Sequence, residues 1–278
     1  MVDFAACRDP QMADKDLIDN KFDRMPLIKR NLSHLMLLCI FIGLFAGCAH
    51  LFPPVPENPQ ARQILVRLTG NNSELKRFKA LAHVRMELDG QVVSGRIAMA
   101  AVVPDKLRIE WLNLMGQPLT CLAGDGEMIT IFSYTDNKVH RLRQSPTAME
   151  KLIHIPIGIE DLQRILTGRF PLPADVAVQL EEAPNDIDIL ILRNRWHNIV
   201  ASLRVDRLTS RVLDMKTFSG QGGLLYEIQW AQWQHEGAYL VPVKVVFESK
   251  SRQRVELTID RFWPDVDVPE SIFKLDIP

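Results

Sequence analysis

The chain has 278 residues, and its 33 lysines and arginines against 34 aspartates and glutamates give a formal net charge of −1. No basic face stands out, so nucleic acid is not an expected partner and strong electrostatic attachment to anionic lipid is not implied. Hydrophobic residues make up 47% of the chain, which is enough to build a sizeable core in one domain.

An apolar run near the amino terminus is the most informative stretch of the sequence. The bases Lys29 and Arg30 precede an apolar core over 35–47, which ends in small residues directly before Cys48. This order resembles the lipobox of bacterial lipoproteins. Thirteen residues at about 1.5 Å rise reach only about 20 Å, too short for a roughly 30 Å hydrocarbon layer. We therefore predict that residues 1–47 are a signal peptide and that Cys48 is acylated.

Two details bear on this leader. Residues 1–24 carry six acids against four bases, which does not suit a signal peptide, so a start at Met25 is a second hypothesis. With the leader removed and Cys48 acylated, Cys121 is left alone and no disulfide is expected. Cys121 lies in an apolar stretch, and we predict a small buried side chain rather than a nucleophile.

After Cys48 the sequence predicts a spacer and then a helix. Four prolines within 49–59 exclude regular structure and favour a semi-rigid tether over 48–58. Asn58 followed by Pro59 forms a cap and first-turn pair, which predicts a short amphipathic helix ending at Gly70. We assign 59–278 to a single folded domain.

From Phe78 onward, apolar residues recur at every second position, the period of a half-buried strand. This alternation predicts strands over 78–88, 93–101, 107–111, 118–123, 127–134, 187–191, 199–205, 226–230, 241–247 and 255–259. Asp89-Gly90 predicts a tight hairpin, and Gly95 a bend or bulge. With roughly a dozen strands and mostly short turns, a mainly β (α+β) fold with one curled antiparallel sheet is expected.

A helical segment interrupts the strands over 145–168. Ser145-Pro146 predicts the start of one helix, and an apolar stripe that includes Leu162 and Ile165 predicts a second. We expect both helices to cover the opening of the curled sheet.

The sequence holds no residue set typical of catalysis or metal binding. The histidines and cysteines lack ligand spacings such as His-x-x-x-His and Cys-x-x-Cys. Ser94-Gly95 lacks the first glycine of a nucleophile elbow, and the glycines at 124 and 126 do not open a helix. We therefore predict a protein that is not an enzyme and has no metal and no catalytic residues.

The loop over 112–118 is unusual because it holds Leu114 and Met115 where a turn should be polar. On composition alone, we expect both side chains to fold back into the core, since exposed large apolar side chains are costly. The alternative is a loop that exposes them for a function.

Three landmarks together resemble a known family. Asn113-Leu114-Met115-Gly116 looks like an Asn-Pro-Leu-Gly hairpin, the segment 149–168 looks like a two-helix insertion ending in a Leu-Gly pair, and a lipobox precedes both. Their order is similar to that of the LolA/LolB family of lipoprotein carriers and outer-membrane lipoprotein receptors. The resemblance implies an unclosed half-barrel with a helical lid and an apolar cavity for acyl chains.

The resemblance also implies a function. The protein would be a lipid-anchored, non-enzymatic acceptor of acylated lipoproteins, with a soluble LolA-like carrier as donor, and Leu114 and Met115 would form its membrane-insertion loop. It would have no cofactor, and Cys48 would carry a covalent N-acyl diacylglyceryl group. Ala49, which is not aspartate, implies the periplasmic face of the outer membrane of a Gram-negative bacterium. We expect a monomer.

The alternative is a structural or assembly lipoprotein of the same fold that binds a protein partner instead of lipid. The alternating pattern does not decide which face of the sheet lies inside. The candidates for the cavity are Val84, Met86, Ile97, Met99, Ile109 and Trp111 on the sheet, with Leu162 and Ile165 on the lid.

Overall fold

The computed structural model describes residues 56–275, so the predicted signal peptide over 1–47 and Cys48 lie outside the described residues. Within this range, one sheet of thirteen strands is accompanied by three α-helices and a short 3-10 helix. The helices are α1 (Pro59–Gly70), α2 (Pro146–Ile153), α3 (Ile159–Leu166) and the 3-10 turn Glu270–Phe273. The strands are β1 (Arg77–Leu88), β2 (Gln91–Val102), β3 (Lys106–Leu112), β4 (Pro118–Asp125), β5 (Met128–Ser133), β6 (Lys138–Arg143), β7 (Ala177–Ala183), β8 (Ile187–Arg193), β9 (Ile199–Asp206), β10 (Arg211–Phe218), β11 (Leu224–Glu236), β12 (Tyr239–Ser249) and β13 (Arg254–Pro264).

The sheet is antiparallel throughout and does not close on itself. Its order is β6-β5-β4-β3-β2-β1-β13-β12-β11-β10-β9-β8-β7, so the strands β6 and β7 are the two edges. The helices α2 and α3 lie between β6 and β7 in the chain, and therefore connect one edge of the sheet to the other. The predicted unclosed antiparallel half-barrel with a helical lid is confirmed.

The strand register decides which face of the sheet lies inside. Val84 on β1 pairs with Gly95 on β2 and with Leu257 on β13, and Ile97 on β2 pairs with Trp111 on β3. These residues and their alternating neighbours form the inner face, which packs against the helices. Residues of the other face, such as His83 and Arg85, are exposed.

Two local irregularities differ from the sequence prediction. Gly95 pairs with Val84 without any shift of register, so it is not a bulge. The irregularity on β1 lies instead between Leu81 and Ala82, where the pairing with β13 shifts. The extra residue is Asp260 on β13, so the side chains of β1 keep alternating between the two faces through Leu81 and Ala82.

The lid helix α3 is fixed to the sheet by buried hydrogen bonds. Gln163 is fully buried, and its Nε2 donates to the carbonyl of Lys106 at 2.7 Å. Trp230 Nε1 donates to the carbonyl of Ile165 at 3.3 Å. A buried polar group that loses its partner costs about 1–3 kcal/mol, so these bonds define where the helix sits.

The antiparallel order divides the loops between two ends of the sheet. The loops β1–β2, β3–β4, β5–β6, β8–β9, β10–β11 and β12–β13 all lie at one end, which we call the hairpin end. The remaining loops between consecutive strands lie at the opposite end. Helix α1 begins at the hairpin end, because the amide of Asn58 donates to the carbonyl of Val178 near the start of β7 at 3.0 Å.

Helix α1 ends at the opposite end of the sheet, and Asn72 holds it there. Asn72 Nδ2 donates to the carbonyls of Thr167 at 2.8 Å and Leu240 at 2.7 Å. Asn72 also has a positive φ of 51°, a conformation that asparagine tolerates better than most residues.

We expect Asn72→Ala to lower the free energy of unfolding by about 1–3 kcal/mol, because it leaves two carbonyls without their donor. Urea unfolding measures this change. Asn71→Ala is the matched control, since Asn71 is exposed and has an ordinary backbone conformation. An equal loss in both variants would contradict the role given to Asn72.

Candidate functional site

An apolar cavity of about 310 Å³ lies between the inner face of the sheet and the helices α2 and α3. Its lining carries no ionisable side chain among the described residues, and Thr120 supplies a single hydroxyl. The strands contribute Val84, Met86, Ile97, Met99, Ile109, Trp111, Thr120, Leu122, Ile131, Phe247, Val255 and Leu257, and the helices contribute Met149, Leu152, Ile153, Leu162 and Leu166. A surface of this composition favours hydrocarbon over polar ligands.

Seven of the eight candidate positions named from the sequence lie on this lining, and Ile165 does not. Ile165 is fully buried in the core, and its carbonyl accepts the hydrogen bond from Trp230. Leu162 and Leu166 are one helical turn apart and share the face that looks into the cavity, whereas Ile165 lies on the adjoining face.

Most of the remaining lining residues come from elements whose position the sequence did not reveal. Val255 and Leu257 enter because β13 pairs with β1, which joins distant parts of the chain. Leu152 and Ile153 enter because α2 lies over the sheet. Their alternating or helical spacing was a usable signal, but only the pairing of strands shows that they meet.

The Trp111 ring, which lines the cavity, packs against Gly95. A Cβ atom at Gly95 would lie 2.6 Å from atoms of the Trp111 indole, so the ring packs directly over the glycine backbone. A second hollow, of about 590 Å³ and with mixed polarity, lies against the outer face of the sheet beside the β3–β4 loop, where its lining includes His83, Arg85 and Glu256. Val84 and Trp111 line both spaces.

The β3–β4 loop exposes both of its large apolar side chains. Leu114 has an exposed fraction of 101% and Met115 of 85%, so the expectation that they fold back into the core is wrong. Burial is not available to them, because the loop forms a tight turn beyond the ends of its strands.

Asn113 organises this turn. Its backbone amide donates to the backbone carbonyl of Gln117 at 2.8 Å. Its side-chain Oδ1 accepts from the backbone amides of Met115 and Gln117, each at 2.9 Å. Gly116 takes a positive φ of 81°, which glycine adopts without strain. The asparagine side chain thus holds the turn, although Leu114 stands where the Asn-Pro-Leu-Gly hairpin has proline.

Cys121 behaves as a core residue. Its side chain is fully buried, and burial raises the pKa of the thiol to about 11. A thiol that is buried and protonated at neutral pH is a poor nucleophile, in agreement with the sequence-based prediction.

Two features of the described residues bear on other functions. Residues 56–275 contain no group of three or more potential metal ligands. None of the helices that the structure describes is long and apolar enough to cross a membrane. The predicted acylation site Cys48 is outside the described residues and stays a prediction.

Comparison with known proteins reveals a likeness of structure. No protein-family model and no curated protein matches the sequence. The LolA superfamily protein NE2245 from Nitrosomonas europaea superposes with a TM-score of 0.55 at 17% identity, covering 78% of this chain and 98% of that one. The chain has a LolA-like fold.

Two further solved structures share this fold. A DUF1329 family protein from Desulfovibrio piger ATCC 29098 has a TM-score of 0.59 at 11% identity, covering 79% of this chain and 98% of its own. A domain named as an outer membrane lipoprotein-sorting protein from Vibrio parahaemolyticus has a TM-score of 0.54 at 11% identity, covering 77% and 94% respectively. At these identities the likeness establishes the LolA-like architecture.

The contact between Gly95 and Trp111 is testable. Gly95→Ala should lower the free energy of unfolding by about 1–3 kcal/mol, because the added methyl group forces the indole out of its place. It should also shift the tryptophan emission spectrum. Gly220→Ala is the control, since nothing lies within 4 Å of a Cβ there. Unchanged stability and emission in Gly95→Ala would contradict the packing described.

Proposed function

We propose that this chain is a lipid-anchored, non-enzymatic envelope protein that binds the acyl chains of lipoproteins in the apolar cavity and helps insert them in the outer membrane. The observation that carries the proposal is the cavity itself, a space of about 310 Å³ bounded by apolar side chains of the sheet and the lid. The LolA-like fold, which a lipoprotein-sorting domain shares, supports the same class of cargo.

The energetics suit transfer without chemistry. An acyl chain of about 16 carbons gains on the order of 0.8 kcal/mol for each methylene removed from water. A dry apolar cavity offers an acyl chain much of what a bilayer offers, so cargo can pass between the two without a covalent step. Uptake would come from a soluble LolA-like carrier, and the anchor on Cys48 would keep the protein at the periplasmic face of the outer membrane.

Binding of a fluorescent fatty acid tests the cavity. Leu152→Glu should weaken binding about tenfold or more, because a charge in the apolar lining must be desolvated when the ligand enters. Ile131→Trp is a second variant that fills the same space without a charge. Val66→Glu places the same charge on the exposed face of α1 and should leave binding unchanged.

Wild-type affinity in both cavity variants, or no binding by the wild type, would contradict the proposal. The second result would favour the alternative function, a structural or assembly lipoprotein that binds a protein partner. Urea unfolding of each variant shows whether the fold is kept.

The β3–β4 loop is proposed to contact the membrane during transfer. Leu114→Ser combined with Met115→Ser should leave the unfolding midpoint unchanged, because both side chains are exposed, and should slow cargo transfer to liposomes about tenfold. Leu208→Ser is the matched control, since Leu208 is 80% exposed in the β9–β10 loop at the opposite end. Equal transfer by the double variant and the control would remove the loop from the mechanism.

A further inference from the structure

A second hairpin at the hairpin end also exposes a large side chain. Trp196 lies in the β8–β9 loop with an exposed fraction of 51%. The guanidinium carbon of Arg195 lies 4.7 Å from the centroid of its ring, a cation–π contact. Tryptophan and arginine together suit a bilayer interface, where the ring meets the headgroup level and the cation meets phosphate.

The β8–β9 loop has the same turn as the β3–β4 loop. In each, the amide of the leading asparagine, Asn194 or Asn113, donates to the carbonyl four residues later, at 3.0 and 2.8 Å. Its Oδ1 accepts from the amide two residues later, at 2.9 Å in both loops. Trp196 therefore occupies the position in its turn that Met115 occupies in the other.

The described chain starts near this loop. The backbone amide of Asn58 donates to the carbonyl of Val178. Val178 pairs with Leu192, the second-to-last residue of β8, and the β8–β9 loop begins two residues after Leu192. Nine residues lie between Cys48 and Asn58, and the ten steps from one Cα to the other span at most about 35 Å. A lipid on Cys48 would thus keep the start of the folded domain within reach of a bilayer surface.

Charge and apolar exposure also favour this end of the sheet. Its six loops hold three bases (Arg195, Lys250, Arg252) and two acids (Asp89, Asp136), whereas the loops at the opposite end hold one base (Arg207) and three acids (Asp105, Glu127, Asp186). Exposed Leu119, Tyr134 and Val139 also lie at the hairpin end. Among these loops the bases outnumber the acids only at the hairpin end, which suits an anionic lipid surface.

We propose that the β8–β9 hairpin, through Arg195 and Trp196, is a second contact with a bilayer that contains anionic phospholipid. The domain then rests on the membrane through two hairpins of the same end. The inference rests on the proposed function only in that it takes the protein to be anchored at a membrane.

Quenching of tryptophan fluorescence tests this contact. The full chain, purified with its anchor, is reconstituted into vesicles of phosphatidylcholine and phosphatidylglycerol with brominated acyl chains. Trp196→Phe should lose most of the bromine quenching that the wild type shows. Trp263→Phe is the matched control, because Trp263 is 38% exposed at the end of β13, which lies at the opposite end of the sheet. It should keep the wild-type quenching.

Arg195→Gln should reduce the quenching in vesicles with phosphatidylglycerol and leave it unchanged in vesicles of phosphatidylcholine alone. Equal quenching in the wild type, Trp196→Phe and Trp263→Phe would overturn the inference, and so would the absence of quenching in the wild type. Absence of quenching in the wild type would favour a protein partner for this hairpin.

A separate readout distinguishes this failure from failure of the proposed function. Fatty-acid binding in the cavity is measured on the same variants, and Trp196→Phe should keep it at the wild-type level. Loss of cavity binding with the quenching pattern intact would count against the proposed function alone. The mass of the amino-terminal peptide establishes in every sample whether Cys48 carries lipid.

Discussion

The structure depends on one constraint: within residues 56–275, a single sheet of thirteen strands presents a continuous apolar face, and three short α-helices are available to cover it. An open sheet of this size curls to bury that face. The sheet does not close, because β6 and β7 are its edges and the lid connects them. The cover is incomplete, and the apolar cavity is the space that remains between lid and sheet.

The same topology separates the two ends of the molecule. The lid is hydrogen-bonded to the sheet near the opposite end, where Gln163 Nε2 donates to the carbonyl of Lys106 at the start of β3. The hairpin end carries the exposed turns of Leu114, Met115 and Trp196 and the start of the described chain. Storage of an acyl chain and contact with a membrane would therefore fall to different parts of one sheet.

Much of this fold could be predicted from the sequence, because most strands alternate strictly and the helix caps at Asn58 and Ser145 are unambiguous. Three strands gave no usable pattern. The strands β6 and β7 are edges with little apolar surface to bury, and β10 combines a register shift with the buried Asp214, which accepts from Arg204 Nε at 2.7 Å. The exposure of Leu114 and the core position of Ile165 depend on turn geometry and helix packing, which composition does not reveal.

The central claim is that the cavity holds an acyl chain, and photolabelling tests it most directly. A palmitate with a diazirine on its chain is crosslinked to the full protein, and the labelled peptides are mapped by mass spectrometry. The account predicts saturable labelling of inner-face and lid residues such as Leu122, Ile131 and Leu152. Labelling confined to exposed residues such as Leu208, or labelling that excess palmitate does not suppress, would contradict it.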